Sequence, residues 1–168
     1  MAQQQFTATE VEQRMKNGEQ LSTILGVSEP KIEALAALGY NSYQQGQLKD
    51  AETFFAGVVA LDNNSYIGNA GLGAVAMAQK PPKLDAAYSY LSKAAQLRPQ
   101  DATIQANLGE VLLRQGKVEE AKPHLEKAFQ LDPNFKDRGV NRARALVAGL
   151  DLVVKKAEQR QQTMAKAS

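Results

Sequence analysis

The chain has 168 residues, with no Cys, no Trp and one His, and 20 Lys and Arg stand against 18 Asp and Glu. The absence of Cys excludes disulfide and thiolate chemistry, and the dominance of Ala, Leu, Gln, Glu and Lys favours helices over strands. Charge is divided unevenly: 12 basic against 15 acidic residues up to Phe135, then 8 against 3 from Lys136 onward. With no aromatics or dense Arg clusters beside it, that basic end reads as a solvated helix rather than a nucleic-acid contact. The length suits one domain with a full core. No run approaches the roughly 18 apolar residues of a membrane span, so no direct membrane insertion is expected. The first ten residues lack the basic and apolar regions of a secretory signal. The expectation is a cytoplasmic protein.

Residues 1–6 are polar and expected to be disordered. Thr7 or Thr9 caps a helical segment reaching about Leu25, with Val11, Met15, Leu21, Ile24 and Leu25 as its apolar positions. Asn17-Gly18 predicts a kink or two short helices. Ser28 reads as the next cap, with Pro30 in the first turn, where its missing N–H costs nothing.

From there one pattern occurs three times. Leu38-Gly39, Leu72-Gly73 and Leu108-Gly109 are spaced 34 and 36 residues apart, and Ala51, Ala87 and Ala121 are spaced 36 and 34. A period near 34 with Leu-Gly, Ala, Ala and Pro landmarks is the signature of the tetratricopeptide repeat, a pair of antiparallel helices. It predicts an all-α solenoid: an N-terminal helical segment over 1–28, three helix-turn-helix repeats over about 32–65, 66–101 and 102–135, and a capping helix with a basic tail over 136–168.

In the first repeat, helices are predicted over 29–45 and 48–61. Leu35, Leu38, Phe55 and Val58 are expected between them, and Gly46 is expected to take a positive φ at the turn. The second repeat carries Lys80-Pro81-Pro82-Lys83 as an elongated turn that stops its first helix. That helix holds Gly68, Gly71 and Gly73, which admits two readings: close helix packing, or a wall kept low so that something else fits. The third repeat is the most regular, and Pro123 is tolerated early in its second helix. In the last segment Val140, Leu146, Val147, Leu150, Val153 and Val154 lie at helical spacing. Its first half is expected to cover the end of the solenoid, and the polar stretch beyond Lys155 is expected to fray.

Catalytic residues do not assemble. His124 sits beside Pro123 and Glu126 and reads as a surface residue. Gly71-x-Gly73 lies within a helix rather than after a strand, so it is no dinucleotide motif. Glu119-Glu120 and Asp50-Glu52 begin second helices, where they meet the helix dipole favourably. No enzyme activity, metal or cofactor is expected.

Binding is the stronger reading, because the first helices of stacked repeats line a concave surface. The groove-facing positions are Glu33, Ala36, Tyr40, Tyr43 and Gln44 in the first repeat, then Ile67, Ala70, Ala74, Met77 and Ala78 in the second. In the third they are Thr103, Ala106, Glu110, Leu113 and Arg114. The residues expected to contact a peptide are Ala36, Tyr40, Tyr43, Gln44, Ile67, Ala70, Ala74, Met77, Ala106, Glu110 and Leu113. This wall is aromatic at one end, small and apolar in the middle and polar at the other end. It suits an extended peptide with spaced apolar side chains. The bland alternative is that Tyr40 and Tyr43 pack against the N-terminal helix.

A narrower resemblance lies in the first repeat. Gly39-Tyr40-Asn41-x-Tyr43-Gln44-x-Gly46, followed by Asp50-Ala51, Phe55 and Leu61-Asp62, resembles the class II chaperones of type III secretion. Gly71-Leu72-Gly73-Ala74 and Glu110-x-Leu112-Leu113-x-x-Gly116 continue it, and Met15-Lys16-x-Gly18 and Leu25-Gly26-Val27-Ser28 resemble that family's leader. The similarity covers about 15–131; Pro81-Pro82 and the basic end depart from it. It implies a bacterial chaperone that holds an extended segment of a translocator-type client before export. It further implies a homodimer formed through the N-terminal helix, with Tyr40 and Tyr43 at the family's aromatic groove positions. A scaffold in another bacterial assembly, without a secretion client, is the competing function.

Overall fold

The computed structural model describes residues 6–166, with side chains as far as Gln161. The expected disorder of residues 1–5 lies outside that range. The described residues form nine helices: α1 (Ala8–Lys16), α2 (Leu21–Leu25), α3 (Glu29–Gln44), α4 (Leu48–Leu61), α5 (Tyr66–Ala78), α6 (Leu84–Leu97), α7 (Ala102–Arg114), α8 (Val118–Leu131) and α9 (Arg138–Lys166). The chain divides into two compact units, the first ending at Arg98 and the second beginning at Pro99. The expectation of a single domain therefore gives way to two units, divided where the second repeat meets the third.

In the first unit, α1 begins on a reciprocal cap: the Glu10 N–H donates to the Thr7 hydroxyl, and Glu10 accepts from the Thr7 N–H at 2.7 Å. The Asn17-Gly18 break separates α1 from α2. Ser28 holds the cap position of α3 and Pro30 its first turn, but the Ser28 side chain makes no capping bond. α3 pairs with α4, and α5 packs on α4 and pairs with α6. Gly46 takes φ 75°, which lets the chain reverse between α3 and α4.

Leu38 departs from expectation. It is 50% exposed, whereas its counterpart Leu72 is buried. This position faces the second helix of a preceding repeat, which α4 supplies to α5 and which no helix among the described residues supplies to α3. α2 touches α4 rather than α3, and α1 touches α2.

The glycines of α5 settle into close packing. A Cβ on Gly68 would lie 2.9 Å from the Val58 side chain, and one on Gly73 2.5 Å from Leu91 Cγ. Gly71 faces the Phe55 ring in the same way. Such distances bring the backbone of α5 against its neighbours, with Ala51, Phe55, Leu72 and Val75 forming the core between them.

In the second unit, α7 pairs with α8, and α9 packs on α7 and also reaches α8. Val140 and Ala143 are fully buried there. Asp137 caps α9 by accepting from the Val140 N–H at 2.9 Å, and it also accepts from the Thr103 hydroxyl of α7. Contrary to the expected fraying, α9 stays helical to Lys166; Lys, Glu, Gln, Arg, Met and Ala beyond Val154 are all good helix formers. Gly149 to Gln161 are exposed.

Two amides anchor the turns that enter α5 and α7. Asn69 Nδ2 donates to the carbonyls of Asn63 and Ser65 at 3.3 and 2.8 Å, and Gln105 Nε2 donates to that of Pro99 at 3.0 Å. Both side chains are buried, so each turn is held by an interaction that water does not weaken.

Candidate peptide-binding face

The face in the first unit is set by helical spacing. Residues 36, 40, 43 and 44 share one side of α3, and residues 67, 70, 74, 77 and 78 one side of α5. The two helices are in contact. Tyr40 is 58% exposed and Ile67 37% exposed, and Gln44 is also exposed, while Ala70, Ala74 and Ala78 are half-buried between neighbours. Ala36 and Met77 are buried and form the floor. Neither α1 nor α2 packs on α3 among the described residues, so Tyr40 is not covered by the N-terminal helices. Tyr43 differs from Tyr40: it is half-buried against the core cluster of Ala51, Phe55, Leu72 and Val75. The result is a face that combines an exposed phenol and an exposed isoleucine with half-buried alanines.

The corresponding positions of the second unit do not form such a face. Ala106 is fully buried, Leu113 half-buried and Glu110 1% exposed. Glu110 is not open to a ligand because two arginines hold it. Arg114, one turn along α7, donates to Oε1 at 2.5 Å, and Arg142 of α9 donates through Nε to Oε2 at 2.7 Å. Arg142 Nη2 reaches Asn107 Oδ1 at 2.8 Å. A carboxylate removed from water needs this much compensation, since an isolated buried charge is very costly.

Sequence reasoning missed Arg142, although a signal existed. It stands 34 residues after Leu108, where the period places Leu, and Ala143 follows where it places Gly. α9 thus occupies the first-helix position of a fourth repeat that has no second helix among the described residues, with an arginine where packing calls for leucine.

His124 also departs from its expected surface position. It is half-buried, with Nδ1 2.7 Å from Gln105 Oε1. Burial lowers its pKa below the ordinary value, and Lys127 pushes in the same direction. It belongs to the anchor of the α7 entry turn. Among the described residues, no group of three or more His, Cys, Asp or Glu could hold a metal. No helix among them is long and apolar enough to cross a membrane.

Paired helices at a 34-residue period, with small residues at their contacts, define a tetratricopeptide-repeat protein, and the family model described as tetratricopeptide repeat matches residues 76–134. Within that class the chain is similar to proteins of type III secretion. It is 29% identical over 143 residues to Low calcium response locus protein H of Yersinia pseudotuberculosis, covering 80% of this chain and 84% of that protein. It superposes with a TM-score of 0.62 and 26% identity on the Yersinia enterocolitica type III secretion chaperone SycD in complex with a peptide of the translocator YopD, covering 75% of this chain and 96% of that one. A T3SS complex from Aeromonas hydrophila gives a TM-score of 0.68 at 25% identity, over 88% of this chain and 97% of that one.

Proposed function

We propose that the chain is a bacterial cytoplasmic chaperone, not an enzyme, which holds an extended segment of a translocator-type client before export. The observation that carries this reading is the face of α3 and α5, where exposed Tyr40 and Ile67 accompany half-buried Ala70 and Ala74. Exposed large side chains beside small ones offer pockets to alternate apolar side chains of an extended peptide, and aromatic contact supplies much of the affinity. SycD holding a translocator peptide supports the same reading. Tyr40, Gln44, Ile67, Ala70 and Ala74 are the contacts proposed, with Tyr43, Ala36 and Met77 shaping the floor. Ala106, Glu110 and Leu113 hold the equivalent positions of the second unit, where the first two are covered. The YopD peptide serves as the probe. Replacing Tyr40 and Ile67 together by Ala should weaken its binding at least tenfold, about 1.4 kcal/mol, while circular dichroism stays helical. Unchanged binding would sink the assignment of this face.

The proposal includes a homodimer formed through α1. Phe6, Ala8, Val11 and Met15 line a shallow apolar depression on that helix, and Met15 is 46% exposed. Burying such a surface in a partner copy removes it from water, at about 25 cal/mol per Å² of apolar area. Val11→Asp with Met15→Asp should yield a monomer by light scattering. A variant that stays dimeric places the interface elsewhere.

A further inference from the structure

Two arginines from two helices converge on one carboxylate where α9 meets α7. Arg114 and Arg142 take different oxygens of Glu110, at 2.5 and 2.7 Å, so both oxygens are held. Arg142 is fixed in turn by Asn107, at 2.8 Å. The Glu110 side chain is 2% exposed, while the side chains of Arg114 and Arg142 are 40% and 49% exposed. Two guanidiniums around one carboxylate leave a net positive charge, and each fork has N–H groups beyond those used on Glu110. Guanidiniums that donate to both oxygens of a carboxylate are a common means by which proteins bind carboxylate ligands. In this chain the acid comes from within.

We propose that Asn107, Arg114 and Arg142 form a carboxylate-binding site whose occupant is the chain's own Glu110. Glu110 is thereby a specificity-determining residue. It closes this face of the second unit to ligands that arrive by a free carboxylate, whether a peptide C-terminus or an acidic side chain. The use of that exclusion rests on the peptide-holding role proposed above, because it leaves apolar contacts to select the ligand. The site itself does not rest on that role, and the probes below involve no client.

Glu110→Ala removes one methylene and the carboxylate, the groups that acetate returns. In the full chain, sodium acetate should raise the melting temperature of Glu110→Ala beyond the effect of sodium chloride at equal ionic strength, and should leave the unsubstituted chain unmoved, because a ligand stabilises only the state that binds it. Acetate should also shift the Arg114 and Arg142 Nε–H signals in the variant, and adding Arg142→Met should abolish both responses. If Glu110→Ala does not fold alone, its refolding yield in acetate against chloride reads the same quantity. Acetyl-trialanine with a free C-terminus should bind Glu110→Ala about tenfold better than its C-terminal amide, the scale of a charge-assisted pair, with no such preference in the unsubstituted chain. A variant indifferent to acetate overturns the site, and an unsubstituted chain that responds equally overturns its occupancy by Glu110. Equal binding of the two peptides to the variant overturns the specificity role.

Discussion

Gly73→Val is expected to destabilise the protein by about 3 kcal/mol, at the upper end of ordinary overpacking. The new Cβ would lie 2.5 Å from Leu91 Cγ and 2.9 Å from its Cδ2. Leu91 is fully buried and cannot swing aside. Valine adds a second branch in a helix that already restricts its χ1. The same repeat position gives a graded series. At Gly109 a Cβ would lie 2.6 Å from Leu125 Cγ, but at Gly39 it would meet only the edge of the Phe55 ring at 3.0 Å. Gly→Ala returns about 1 kcal/mol of helix propensity. Gly39→Ala should therefore be nearly neutral, while Gly73→Ala and Gly109→Ala lose about 1–2 kcal/mol after that gain. Urea denaturation of the three alanine variants and Gly73→Val tests the order. A neutral Gly73→Val would mean that the glycines of α5 keep a wall low rather than two backbones close.

That outcome bears on what the sequence could disclose. A repeat period reports positions used in the same way each time, so the helix pairs and the contacts of Ala51, Ala87 and Ala121 were readable from spacing. The exposure of Tyr40 was readable because nothing in the repeat demands a tyrosine there. The second reading of the α5 glycines was open because sequence does not say which side of a helix its neighbour approaches. Leu38 was misread because its partner helix is missing from the first repeat, and periodicity assigns every copy the same surroundings. Polar contacts outside the period were the least legible. Asn69 and Gln105 bond to turns six residues earlier, and Arg142 reaches Glu110 across 32 residues. Such pairs depend on where helices cross, which hydrophobic pattern alone does not specify. Glu110, an acid where the other repeats carry Tyr40 and Ala74, was a sign that a cation had to come from elsewhere.

Arg144→Met should cost about 2–3 kcal/mol, because one guanidinium closes the connection between α8 and α9. The Arg144 side chain is 18% exposed. Its Nη2 donates to the carbonyls of Phe129 and Asp132 at 3.2 and 2.5 Å, and its Nη1 to Asp132 Oδ2 at 3.3 Å and Asn141 Oδ1 at 3.1 Å. The rings of Phe129 and Phe135 lie 5.0 and 4.2 Å from its central carbon. Methionine keeps much of the stem but leaves those acceptors without their donor. The variant should also be more sensitive to acid. Burial works to raise the Asp132 pKa, but the N–H groups of Lys136 and Asp137, at 2.9 and 3.1 Å, together with Arg144, overcome it and hold the carboxyl below its ordinary value. A depressed carboxylate pKa means that the unfolded chain takes up the proton first. The stabilisation is therefore complete above the ordinary aspartate value near 3.8 and is lost as pH falls through the lower folded value. Removing Arg144 raises the folded value and narrows that window, so the acid-unfolding midpoint followed by circular dichroism should move to higher pH. An unchanged midpoint with lowered neutral-pH stability would instead assign the role of Arg144 to the two carbonyls and the two rings, with the Asp132 carboxylate held by the backbone alone.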